Sequence, residues 1–170
     1  LEPEGLKRLM DVLEYWPNKQ AVRMIKLALF TGMRRGEIFS LQDHDLDFRQ
    51  GLITLRAPKG GKTVAIPMNP MARELLEDQK EFRNAYCPES TFIFPGKNGG
   101  QRKECKAAYN IKKKAGLDGF RIFHGLRHHF AVTLANSGEF GLDMIGELLT
   151  HKSHQMTKRY AQFLPDTMKR

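Results

Sequence analysis

Cysteine and tryptophan are scarce in this 170-residue chain, with Cys87, Cys105 and Trp16 as the whole inventory. Two thiols far apart in sequence are too few for a disulfide framework and suit a reducing cytosol. No run approaches the roughly 20 apolar residues that a membrane span requires, and no leader peptide opens the chain. The expectation is a cytoplasmic protein with no membrane partner. Pro- and Gly-rich linkers and internal repeats are missing too, which predicts one domain over residues 1–170. The first residue is Leu rather than Met, which predicts a piece of a longer polypeptide. Acidic residues are in deficit, 19 against 28 Lys and Arg, for a net charge of +9 and a pI near 9.7.

What is present is ordinary for a globular fold, with 41% hydrophobic and 28% charged residues. A chain of this length buries roughly 70% of its unfolded surface. The basic excess points to a polyanionic partner, nucleic acid ahead of membrane. It is unevenly placed: residues 1–99 carry 15 basic and 13 acidic side chains, and residues 100–170 carry 13 and 6.

Periodicity predicts a mainly α fold with a small antiparallel β-sheet. Pro3 suits a first helical turn, and Leu6, Leu9, Met10, Leu13 and Trp16 follow at helical spacing. Asn18 can cap a second helix ending before Gly32, and a short third covers Arg35 to Leu41. Residues 52–66 read as a β-hairpin with APKGGK at its tip. Pro70 opens a helix through Phe82, and Thr91 to Phe94 reads as a short strand. Further helices are expected from about Arg102 to Ala115, His124 to Ser137, Leu142 to Leu149, and Ser153 to Phe163.

Several familiar sites can be set aside. Gly61-Lys62-Thr63 ends like a phosphate-binding loop, but Arg56 stands where the first glycine is needed. His124 and His128 have the spacing of helical zinc ligands, yet Gly125 stands where a zinc protease places its glutamate. Four other segments stand out together: Thr31 to Glu37 with two arginines, Lys59 at a hairpin tip, His124 to His128, and His151 nine residues before Tyr160. Phosphoryl transfer needs such a set. Guanidinium forks match the non-bridging oxygens of a phosphodiester and stay charged at any working pH. A tyrosine oxygen can attack in line, and a lysine or histidine can protonate the leaving alkoxide. With that much positive charge, neither metal nor cofactor is required.

This combination resembles the tyrosine recombinase (phage integrase) family, specifically its C-terminal catalytic domain. TGMRRGEI resembles the first-arginine box, which makes Arg34 catalytic and Glu37 its acidic support. APKGGKTVAIP is similar to the hairpin that carries the catalytic lysine, here Lys59 with Lys62 the nearest competitor. HGLRHHFAVTLANSG resembles the box supplying His124 and Arg127. LLTHKSHQMTKRYAQ resembles the last, with His151 in the His/Trp position and Tyr160 as nucleophile. The likeness runs from PEGLKRL to Tyr160. Two departures fall outside the catalytic positions: Gly125 replaces a frequent Asp and Thr150 a frequent Gly.

The resemblance implies a site-specific recombinase acting on double-stranded DNA through a 3′-phosphotyrosyl intermediate, without metal or ATP and with no small-molecule substrate. It implies a homo-tetramer on DNA for the full-length protein, nucleoid-associated when bound, and an N-terminal clamp domain that has no counterpart in this chain. Arg35, Lys62, Arg102, Lys103, Lys106, Lys112, Lys113 and Lys114 are then expected to contact the DNA backbone. The rival readings are a catalytically inactive DNA-binding module, a type IB topoisomerase-like enzyme, and a metal-dependent nuclease. The acidic residues form no cluster that would favour the last.

Overall fold

A computed structural model describes residues 1–56 and 63–136. Its elements in order are α1 (Pro3–Tyr15), α2 (Lys19–Thr31), α3 (Arg35–Phe39), β1 (Leu46–Asp47), β2 (Leu52–Leu55), β3 (Val64–Pro67), α4 (Pro70–Tyr86), α5 (Lys106–Lys114) and α6 (Ile122–Asn136). The hairpin tip APKGGK and the two helices expected beyond Ser137 lie outside the described residues.

Helix α2 is the centre of the fold. Its stretch from Ala21 to Thr31 carries apolar side chains nearly all round, and only Arg23 and Lys26 are not buried. That is the pattern of a helix surrounded by others. It packs against α3, α4, α5 and α6. Asn18 caps it as expected, its side chain accepting from the Ala21 N–H at 3.1 Å. Asn69 serves two helices at once. Its Oδ1 accepts from Ala72 at the start of α4, and its Nδ2 donates to the Phe30 carbonyl near the end of α2. This satisfies groups that both helix ends would otherwise leave unpaired.

The sheet is antiparallel in the order β1-β2-β3, with Ile53 opposite Ile66 and Leu55 opposite Val64. Ile53, Leu55 and Ile66 turn into the core. Strand β1 has no counterpart among the elements expected from the sequence. It pairs over two residues only, too short to register as alternation.

Two expectations are corrected. Thr91 to Phe94 makes no strand; it forms a single bridge, Phe92 to Gln42. The segment is tethered to the chain before the sheet by Asp43 N–H on the Thr91 carbonyl and Ile93 N–H on the Leu41 carbonyl, each at 2.9 Å. The basic helix begins at Lys106 rather than Arg102. The Arg102 guanidinium reaches back to the Pro95 carbonyl at 2.8 Å, and Gly96 N–H bonds the Gly100 carbonyl at 2.7 Å. That loop holds its own hydrogen bonds, so the backbone has partners without becoming helical.

Candidate active site

The turn between α2 and α3 carries the first arginine. Helix α2 ends at Gly32, whose φ of +72° is the left-handed conformation that favours glycine, and its N–H bonds the Ala28 carbonyl at 3.0 Å. Glycine is needed for a second reason, because a Cβ there would lie 2.5 Å from Cδ1 of Phe130 on α6. Met33 is fully buried and pins the turn. Arg34 then leaves in an extended conformation, its side chain 49% exposed. Glu37 holds it twice. One carboxylate oxygen accepts the Arg34 N–H at 2.7 Å, and the other lies 3.6 Å from the guanidinium.

Arg127 comes from α6, and its Nη1 donates to the Gly32 carbonyl. The Thr-Gly turn therefore presents Arg34 and anchors Arg127. Burial pushes the Arg127 guanidinium down from its usual value to about 10, the positive charge of Arg34 pushes it the same way, and Glu37 opposes both. The group is still a cation at neutral pH, but one with reduced hydration and a like charge for a neighbour. An anion bridging the two arginines would relieve both penalties.

Both arginines line one groove of about 660 Å³, together with His124 in the first turn of α6. Arg35, Lys106, Lys112 and Arg121 add positive charge to the same walls, and Glu104 is the acidic residue among them. Helices α3 and α6 are fixed against each other beneath it by Phe39 and Phe123, whose rings meet edge to face at 5.8 Å. Cys105 also lines the groove; burial raises its thiol, which keeps it from competing as a nucleophile.

The structure thus brings together Arg34, Glu37, His124 and Arg127 of the expected site, with Arg35, Lys106 and Lys112 of the expected DNA contacts. Arg102 and Lys103 line an adjoining cleft beside the 96–107 loop, where Arg102 Nη1 donates to the Glu104 carbonyl and Nη2 to the Pro95 carbonyl. Lys113 and Lys114 are exposed on α5 and do not line the groove. Lys59, Lys62, His151 and Tyr160 lie outside the described residues. Arg121 and Tyr109, the latter 61% exposed, line the groove without having been anticipated. Tyr109 could have been found from its place between Lys106 and Lys112 on one helical face.

The sequence profile of the phage integrase family matches residues 1–166. The chain is 30% identical over 167 residues to tyrosine recombinase XerA of Pyrococcus furiosus, covering 95% of this chain and 56% of that protein's length. A crystal structure of XerA recombinase superposes with a TM-score of 0.72 at 22% identity, covering 99% of this chain and 61% of the other. The XerH site-specific recombinase bound to its difH substrate gives 0.69 at 26% identity, covering 95% and 49%. The chain therefore spans about half the length of the relatives it matches.

Proposed function

This chain belongs to the phage integrase family, and on that premise we propose that it is the catalytic part of a site-specific recombinase that cleaves and rejoins double-stranded DNA. Tyr160 attacks the scissile phosphorus, the P–O5′ bond breaks as the P–O(tyrosine) bond forms, and the 3′ end stays on the protein. Arg34 and Arg127 hold the two non-bridging oxygens, with Glu37 orienting Arg34. Lys59 protonates the departing 5′ oxygen, His124 handles the tyrosine proton, and His151 donates to the phosphate. The ester conserves the bond, so a 5′-hydroxyl from a second duplex reverses the step without ATP. Metal takes no part, because the guanidinium pair supplies the charge a metal would. In the full-length protein the assembly is a homo-tetramer on DNA, a reading that rests on the family resemblance.

The observation that carries this reading is the convergence of Arg34 and Arg127, from sequence positions far apart, on one cationic groove that also holds His124. Such a pair faces a like charge at short range, an arrangement that serves an anionic ligand better than it serves the fold.

The test is a nicked suicide duplex carrying the DNA that flanks the gene, incubated with the natural full-length protein and run on a denaturing gel. Wild type is expected to leave a covalent adduct in EDTA. Tyr160→Phe is expected to bind the duplex and leave none; an ordinary yield of adduct from that variant defeats the assignment.

A further inference from the structure

Gly125, in the first turn of α6, has an aromatic ring where its side chain would begin. A Cβ built there would lie 2.2, 2.3 and 2.8 Å from Cε1, Cζ and Cδ1 of Phe120, far inside the roughly 3.5–4.0 Å of carbon–carbon contact. Gly125 is not among the glycines with positive φ, so its backbone does not call for glycine. The ring does. Phe120 is itself fixed: its carbonyl accepts from Lys112 Nζ at 2.9 Å, and its N–H bonds the carbonyl of the buried Leu117 at 3.0 Å. Lys112 thereby braces the turn between α5 and α6 as well as lining the groove.

His124 sits between two anchors. Phe123 on one side is buried against Phe39. Gly125 on the other lies under the Phe120 ring and closes the first helical bond onto the Arg121 carbonyl at 2.6 Å. We propose that Phe120 is a positioning residue for His124: its ring, seated on Gly125 and braced by Lys112, sets the first turn of α6 and so the place of the imidazole in the groove. The proposal rests on the recombinase reading for the chemistry of His124, and on contacts alone for its position.

The test compares Phe120→Ala, Phe120→Tyr, Gly125→Ala and the Phe120→Ala/Gly125→Ala double variant in the natural full-length protein. Two quantities are followed: the rate of adduct formation across pH on the nicked duplex, and the imidazole NMR signals of His124 during titration without DNA. Phe120→Ala is expected to slow adduct formation roughly 10–100-fold, the cost of misplacing a reacting group by about an ångström. It should also distort the pH profile and move the His124 signals, while Phe120→Tyr restores all three. Gly125→Ala pushes the same ring aside, so the double variant should be no slower than the slower single.

Wild-type pH dependence and wild-type His124 signals in Phe120→Ala, whatever its melting temperature, would make the ring mere filler and overturn the proposal. A double variant slowed by the product of the two single effects would do the same. Should Gly125→Ala not fold, the contrast between Phe120→Ala and Phe120→Tyr decides alone. If wild type forms no adduct, the recombinase reading fails, while the NMR comparison still decides the role of Phe120.

Discussion

Arg83 and Arg127 are arginines on long helices, the first buried and the second half-buried, and their surroundings are opposite. Arg83 on α4 is 1% exposed. It has Asn84 on Nε at 2.9 Å, the Phe92 carbonyl on Nη1 at 2.9 Å, and Asp43 on Nη2 at 2.7 Å. Arg127 gives one bond to the Gly32 carbonyl, and the charge that most affects it after burial is another arginine. The first is a cation neutralised and saturated, knitting α4 to the segments on either side of the sheet. The second is a cation held in place where, among the described residues, Glu37 only partly offsets burial and the like charge of Arg34. An arginine whose counter-charge is supplied serves the fold, and under the proposed function one set beside a like charge on a groove wall is placed to meet an anion.

Exchanging the losses breaks the comparison most directly. Arg127→Ala should lower the rate of covalent adduct formation on the order of 10²–10³-fold, as expected for removing one preorganised donor from a transition state. Its urea midpoint should stay put or rise, since a like-charge contact is gone. Arg83→Ala should do the reverse, costing about 3 kcal/mol of stability by orphaning its partners, with near-normal cleavage per folded molecule. Equal losses of stability in the two variants would erase the distinction.

Gly32→Ala sharpens it, because Gly32 serves fold and site together. The left-handed φ costs a residue with a Cβ about 1–2 kcal/mol, and the new atom falls 2.5 Å from Phe130. Stability by thermal melting and adduct rate should fall together, where the two arginine variants separate them.

The smallest effect is a pH dependence. Burial pushes the imidazole of His129 on α6 below its usual 6.5, and the adjacent His128 acts in the same direction. The unfolded chain therefore binds this proton more readily than the folded one. The contribution is fully present above pH 6.5 and is lost as the pH falls below it, through the lower folded value. His129→Gln should flatten the acid side of a melting-temperature profile between pH 7 and 5, leaving adduct formation at neutral pH unchanged.

Most helices were legible because their signals are local. Pro3, Asn18, Pro70 and Gly32 mark ends, and apolar spacing marks the faces between them. The misreadings came where local signals are weak. Thr91-Phe92-Ile93-Phe94 is a short apolar run of β-prone residues, but strand formation needs a neighbour over several residues, and its one bridge is to Gln42. Arg102 and Lys103 look like the start of a basic helix, yet the Arg102 fork found carbonyls instead. In the site, Arg34, Glu37, His124 and Arg127 were readable from motifs. Arg121 and Tyr109 were not, since lining a groove depends on what stands opposite.

The sequence by itself determined most of the helices, the antiparallel hairpin, the basic excess and the boxes that carry the arginines and His124. Each is set by a few neighbouring residues, through φ preferences, capping and apolar periodicity. Only the tertiary structure decided that the Gly32 carbonyl holds Arg127, that Phe120 covers Gly125, and that Arg83 meets a carboxylate while Arg127 meets the like charge of Arg34. Those outcomes depend on atoms distant in the chain meeting at hydrogen-bond or van der Waals range, where burial and the sign of the nearest charge fix what a side chain does.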